Sequence, residues 1–321
     1  MKILVTGAAG YFGSVLVPSL LRRGHDVRGV DALMFGGGGI ERLAANDRFE
    51  LVRADVRHPL AQALEGVDAV VHLAALVGHA ICDKDPDATR EINHLAARHL
   101  LASARDAGVT RFLFASTCSN YGVTPTGTIA DEDTPLKPTS LYAETKVAAE
   151  GDTLAARSAT FHPTIFRFAT LFGMSPRMRF DLLLNELVRD AWSSRAIILH
   201  GADTWRPFLH VEDASAAVNV WAETPAAVTS GAVFNVAGEN VRKRDVGALL
   251  QAELPDLRVS AAAMEHDVRD YRVSVEKARR LLGWSASRST RDGVREILEA
   301  LAGGAIPDPG GAQYTNLEPR L

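Results

Sequence analysis

Tyr142 and Lys146 stand four residues apart in SLYAETKVAAE, a stretch that reads as helix, so both side chains fall on one helical face. A tyrosine alone titrates near pH 10, too high for efficient proton transfer at neutrality. A nearby ammonium stabilises the phenolate and lowers that pKa, which makes the pair a candidate acid–base unit. Taken alone the pattern is common on solvated helices, so its weight depends on what surrounds it. A second cluster is FASTCSNYG (114–122), where an apolar run ends in hydroxyls, a cysteine and a tyrosine. It is either a solvated strand end or part of a reacting site.

The third candidate is TGAAGYFGS, which places Gly7, Gly10 and Gly13 between the first strand-like run and the first helix. Glycines there allow a tight turn and close approach of backbone to a pyrophosphate, while the helix N-terminus offers free N–H groups. The spacing is G-x-x-G-x-x-G, one residue longer in its first interval than the common dinucleotide fingerprint. Asp31 ends the second strand, where a carboxylate accepts from both ribose hydroxyls and repels a 2′-phosphate, which favours NAD over NADP. Asp55 follows the third strand-like run and is placed either to meet the adenine edge or to cap a strand end. Lys146 is also suited to hold the nicotinamide ribose.

These groups need a scaffold. KILVT (2–6), DVRGVD (26–31), FELVR (49–53), AVVHL (69–73) and FLFA (112–115) are short apolar runs separated by helical stretches, most clearly 14–23, 86–107 and 141–157. Such alternation predicts an α/β fold, a doubly wound parallel sheet with a smaller mixed α/β substrate-binding region. The expected division is a nucleotide-binding domain over 1–170 and a mainly substrate-binding region over 171–321, with 208–236 returning to complete the large sheet. The Gly36–Gly39 run reads as a flexible loop, and the tail after Gly303 is too rich in Gly and Pro for regular structure.

Composition fits a globular protein of 321 residues with 47% hydrophobic and 23% charged side chains. A net charge of −4 leaves no footprint for nucleic acid or an anionic membrane. No stretch reaches the length of a membrane span. Cys82 and Cys118 are the only cysteines, in neither a disulfide framework nor a metal-binding spacing, so a reduced cytoplasmic enzyme without a metal is expected.

Together TGAAGYFG, Asp31, Asp55, HLAA (72–75), FASTCSNYG, YAETK, RFATLFG (167–173), WRPFLHVEDA (205–214) and RDYRVSVEKARRLLGW (269–284) occur in an order that resembles the extended short-chain dehydrogenase/reductases. Within these the likeness is to the NAD-dependent nucleotide-sugar epimerase/dehydratase family, of the UDP-glucose 4-epimerase kind, and it spans nearly the whole chain. The resemblance implies a Rossmann sheet holding NAD, which oxidises a sugar hydroxyl and later returns the hydride. It implies Tyr142 as general base, Lys146 as its activator, and Thr117 as the hydroxyl shared with the reacting sugar oxygen, with Ser116 as the neighbouring alternative. Cofactor contacts are implied at Gly7, Gly10, Tyr11, Phe12 and Gly13, at Asp31, Asp55 and Val56, and at Leu73, Ala74 and Ala75, with Tyr142 and Lys146. His72–Ala75 would floor the cofactor site and Asn93 would tie its helix to the sheet. Substrate contacts are implied at Thr117, Cys118, Ser119, Thr170, Asn185, Arg206 and Arg269, the two arginines gripping a diphosphate. His210 and Asp213 read as structural. Thr170 stands where many relatives have Asn, and Phe12 replaces an aliphatic residue.

Related 4,6-dehydratases carry Asp-Glu directly after the catalytic Thr, whereas this chain has Cys118 and Ser119. Elimination is thereby disfavoured, and Cys118 reads as a small core hydrophobe. The resemblance then implies a nucleotide-sugar 4-epimerase working through a transient 4-keto sugar. A nucleotide-sugar 4-ketoreductase or dehydrogenase is the alternative, and a dehydratase follows it. A non-enzymatic NAD-binding scaffold is disfavoured by the intact Thr117, Tyr142 and Lys146. Helices 86–107 and 141–157 correspond to those that pair between subunits in relatives, with Ala96, Ala97, Ala148 and Ala149 permitting close approach, so a homodimer is expected.

Overall fold

A computed structural model describes residues 1–37, 39–263 and 269–316. Seven strands form one parallel sheet: β1 (Lys2–Thr6), β2 (Asp26–Asp31), β3 (Phe49–Arg53), β4 (Ala69–His72), β5 (Arg111–Thr117), β6 (His162–Phe168) and, late in the chain, Ala232–Val236. Between β6 and that last strand come β7 (Thr170–Phe172), β8 (Ala196–His200) and β9 (Trp205–His210), which makes Ala232–Val236 β10. β11 (Glu239–Arg242) and β12 (Arg258–Ala262) follow. The large sheet runs β10-β6-β5-β4-β1-β2-β3. The chain moves outward from β1 to β3, crosses back to β4 and moves outward the other way. That reversal between β1 and β4 opens a crevice at the carboxyl ends of the strands.

Central strands are buried on both faces, as their unbroken apolar character requires. One face packs Leu16, Leu20 and Trp221, and the other packs Ile92, Leu100 and Phe161. β5 is longer than the apolar run FLFA, because its parallel pairing with β6 continues through Ser116↔Arg167 and Thr117↔Phe168. The hydroxyls of FASTCSNYG thus begin inside the sheet.

The segment 208–236 divides. Only β10 completes the large sheet, while β9 joins β7 and β11 in a three-stranded sheet and β8 pairs with β12. The intervening helix Val211–Glu223 packs beside helix Gly13–Arg22, with Asn219 Nδ2 donating to Ser19 Oγ at 2.8 Å. The helical stretch 86–107 is α-helical at Pro86–Arg90 and Ala96–Asp106, with one wider π turn over Glu91–Leu95. Asn93 lies in that turn and bridges Leu76, accepting from its N–H at 2.8 Å and donating to its carbonyl at 2.9 Å. The helix is so tied to the loop after β4 and not, as expected, to the sheet itself. Among the described residues the tail forms a 3₁₀ turn, Ala312–Tyr314. Of the Gly36–Gly39 loop, Gly38 lies outside the described residues.

Candidate active site

The crevice holds a cavity of about 450 Å³. Its inner wall is the β1–helix turn. Gly7 has φ +70°, and a Cβ there would come within 2.9 Å of Ala74 N. A Cβ on Gly13 would lie 2.1 Å from Gly7 O, so the turn cannot close with any side chain at that position. Asp31, at the end of β2, is fixed by the N–H groups of Ala9 at 2.9 Å and Leu33 at 2.8 Å. Burial raises its pKa, opposed by those two bonds and by Arg177. Asp55 lines the wall beyond β3, its carboxylate gripped by Arg57 at 2.7 Å and its pKa lowered chiefly by that bond.

The other end of the cavity lies where β5 meets helix Leu141–Ala155, which Ser140 caps by accepting from Ala143 N at 3.3 Å. Thr117, Ser119, Tyr142 and Lys146 all face the cavity. Thr117 Oγ1 lies 2.7 Å from Ser119 Oγ and accepts from Ser119 N at 3.1 Å. Ser116 also lines the cavity, but its hydroxyl is engaged, donating to Glu150 Oε1 at 2.5 Å in a buried cluster with Asn120 and Arg167. The strand alternation thus gives two adjacent hydroxyls different partners, Ser119 for Thr117 and the buried Glu150 for Ser116.

Lys146 Nζ donates to Ala115 O at 2.9 Å and lies 6.0 Å from the centre of the Tyr142 ring. Burial lowers its pKa to about 8, which Cys82 and Glu150 partly oppose. Burial pushes the Tyr142 phenol above its usual value, reinforced by Cys82; the nearby Thr117 hydroxyl and the charges of Arg179 and Arg269 act in the opposite direction. Against the expectation that a nearby ammonium lowers the Tyr142 pKa, the net direction in the cofactor-free chain is upward. The ammonium is directed at a backbone carbonyl, and in this arrangement desolvation dominates.

The residues expected at the cofactor and substrate ends are largely brought together. Tyr11, Phe12, Val56, Leu73, Ala74, Ala75, Thr170, Arg206 and Arg269 line the same cavity as Gly10 and the groups above. Arg206 is almost fully buried, with its Nη1 donating to Trp205 O at 2.8 Å and also to Arg269 O.

A sequence profile described as the NAD dependent epimerase/dehydratase family matches residues 3–237. The chain belongs to that family. It is similar over 93% of its length, at 28% identity, to UDP-glucose 4-epimerase of Mycolicibacterium smegmatis, covering 98% of that protein. It is 29% identical to dTDP-glucose 4,6-dehydratase of Streptomyces griseus, over 91% of each chain. Among solved structures it matches UDP-glucuronic acid 4-epimerase from Bacillus cereus, crystallised with UDP-glucuronic acid and NAD, with TM-score 0.83 and 26% identity, covering 94% of this chain and 99% of that one.

Membership makes the protein an NAD-dependent enzyme of the extended short-chain dehydrogenase/reductase type. Its residues fit that cofactor: the glycine turn leaves room only for a closely approaching ligand, and a fixed carboxylate ends β2. NAD when bound supplies the hydride acceptor and donor. The residues that would hold it are the Gly7–Gly13 turn, Asp31 and Lys146.

Three expected contacts are corrected. Cys118 is fully buried, its Sγ donating to Arg167 O at 3.0 Å, so the thiol packs in the core and does not reach the cavity. Burial pushes its pKa far up. Asn185 is also fully buried, and its side chain is spent on Gly173 N at 3.1 Å, Arg179 O at 2.9 Å and Tyr11 OH at 3.3 Å. It holds the cavity wall from behind. His72 turns from the floor to meet Thr6 Oγ1 at 2.7 Å, leaving Leu73–Ala75 at the surface of the cavity, and burial lowers its pKa to about 3. His210 and Asp213 are structural: His210 meets Glu296 at 2.8 Å, and Asp213 accepts from Ser287 and Arg288.

Sequence reasoning missed Met34, Phe35, Arg179, Asp181, Leu182, Glu186, Tyr271 and Asn316, all in the cavity wall. Tyr271 stood inside the family motif 269–284. Asn316 lies in an irregular tail that carries no periodic signal.

Proposed function

We propose that the protein is a nucleotide-sugar 4-epimerase that works through a transient 4-keto sugar. The observation that carries this reading is the meeting of Thr117 and Tyr142 at one cavity wall with Lys146 behind them, while positions 118 and 119 present no carboxylate. Tyr142 takes the proton from the sugar hydroxyl and later returns it, and Thr117 orients that oxygen. Lys146 holds the nicotinamide ribose. Arg206 and Arg269 hold the diphosphate. Ser119 steadies the Thr117 hydroxyl, and Thr170 contacts the sugar. Catalysis is then mostly positioning plus one proton transfer, with room for the flat keto sugar to rotate.

The division into a nucleotide-binding domain over 1–170 and a mainly substrate-binding region after it goes with this reading. A homodimer through helices 86–107 and 141–157 does too, with Ala148 the one expected alanine on the outer surface. Ala96, Ala97 and Ala149 are buried inside the subunit. The outward faces instead carry Leu95 and Ala102 on one helix, and Ala148, Gly151 and Ala155 on the other. Small residues spaced by three and four let a second helix approach closely. Among the described residues no helix is long and apolar enough to cross a membrane. Two free thiols suit the reducing cytoplasm to which we assign the enzyme.

The test is product analysis by mass spectrometry and NMR with a panel of UDP-, dTDP- and GDP-sugars, without added NAD. Isomerisation at unchanged mass is the expected result. Loss of water would make the enzyme a dehydratase, and turnover only with added reduced cofactor would make it a reductase.

A further inference from the structure

The chain's last described segment lies across the rim of the cavity. Phe180 N donates to Tyr314 O at 2.8 Å, and the two rings meet edge to face at 5.7 Å. Arg177 Nη2 donates to Thr315 O at 3.3 Å, and Asn316 N donates to Asp181 Oδ2 at 3.2 Å. Asp181 is itself held by Arg179, at 2.7 and 2.9 Å. The tail is therefore fastened, residue by residue, to the 177–181 segment that forms one cavity wall.

This docking brings Asn316 into the wall, with 9% of its surface exposed. Among the described residues its Oδ1 is buried and has no hydrogen-bond partner. Buried acceptors are rarely left so, and the exceptions call for an explanation. A carboxamide oxygen needs a donor, which a phosphate or a carboxylate does not provide. Asp181, which adjoins Asn316 and is paired with Arg179, and Glu186 elsewhere in the lining also bear acceptors. A hydroxyl, which can donate, suits the carboxamide oxygen.

We propose that Asn316 is a substrate-binding residue, delivered by the C-terminal tail, whose carboxamide oxygen accepts a hydrogen bond from a hydroxyl of the sugar. The proposal rests on the nucleotide-sugar reading above. Hydroxyls of a cofactor ribose share this chemistry, so the experiment separates the two sources.

Calorimetric titration compares wild type and N316A, both loaded with NAD, against UDP-glucose, or the panel member that wild type turns over, and against its free nucleoside diphosphate. The expected result is binding of the nucleotide sugar weakened about fivefold to tenfold, as for one lost hydrogen bond, with the diphosphate changed less than about twofold. NAD content stays at the wild-type level. Y314A, which removes the ring packed on Phe180 without touching a cavity-lining side chain, produces the same selective loss by undocking the tail. Unchanged sugar binding in N316A, equal weakening of sugar and diphosphate, or loss of NAD overturns the proposal. Wild type binding no nucleotide sugar at all would overturn the functional reading and this proposal with it.

Discussion

Glu150 lies one helical turn beyond Lys146 and clamps the guanidinium of Arg167, at 2.7 Å to Nη2 and 3.0 Å to Nε, with both side chains almost wholly buried. The same carboxylate receives Ser116 Oγ and Asn120 Nδ2. Arg167 continues to Tyr121 OH at 2.9 Å, which donates to Asn235 Oδ1 at 2.8 Å. One carboxylate thus links the Tyr142–Lys146 helix to β5 and β6, and Arg167 extends the link to β10. The relative placement of Thr117 and Tyr142 depends on it.

Glu150→Ala leaves the Arg167 charge buried without its partner. The expected cost is about 3–5 kcal/mol, read as a lower midpoint in urea denaturation. The double variant E150M/R167M costs less than E150A, because no charge then remains uncompensated. Equal stability of wild type and E150A would show that the cluster does not hold the sheet and helix together.

Tyr142→Phe removes the proton-transfer group while keeping the ring. Turnover is expected to fall by about 10²- to 10⁴-fold, with NAD content and melting temperature close to wild type. A variant that keeps wild-type kcat would move the acid–base role to another group.

Lys146 imposes a pH dependence on stability. Its pKa is lowered from 10.5 to about 8 in the folded chain, so between these values the unfolded state binds more protons. Stability therefore rises with pH across that window, and the burden of a buried ammonium is fully present below pH 8. From the shift, the gain in cofactor-free protein is about 3 kcal/mol between pH 7.5 and 10.5. It is measured as the urea-denaturation free energy of wild type minus that of K146M. A difference independent of pH would contradict the burial of the ammonium.

Cys118 and Ser119 are adjacent yet are expected to behave oppositely. C118A removes a buried sulfur and costs about 1 kcal/mol of stability, with kcat and KM unchanged. S119A takes away the partner of the Thr117 hydroxyl and lowers kcat about fivefold, as one lost hydrogen bond would, at nearly unchanged stability. Steady-state kinetics paired with thermal melts reads both.

Much of the scaffold was legible because local chemistry prescribes it. Buried strands need unbroken apolar runs, the β1 turn excludes a Cβ at Gly13, and a four-residue interval puts Tyr142 and Lys146 on one face whatever surrounds them. The identity of the cofactor was equally local, since Asp31 ends a strand beside the glycine turn. What a side chain faces was not local. Thr117 and Ser116 differ by one step of strand alternation, and only the register of β5 against β6 sends one hydroxyl to Ser119 and the other to Glu150. Cys118 and Asn185 were drawn from the site by partners far away in the chain, Arg167 and Tyr11. Asn316 entered it because a tail without periodicity is fastened to residues more than a hundred positions earlier. The sequence alone determined which residues can do the chemistry and the framework that carries them. Only the tertiary structure decided which of them share a cavity, because burial and long-range hydrogen bonds, absent from any short window, aim each side chain.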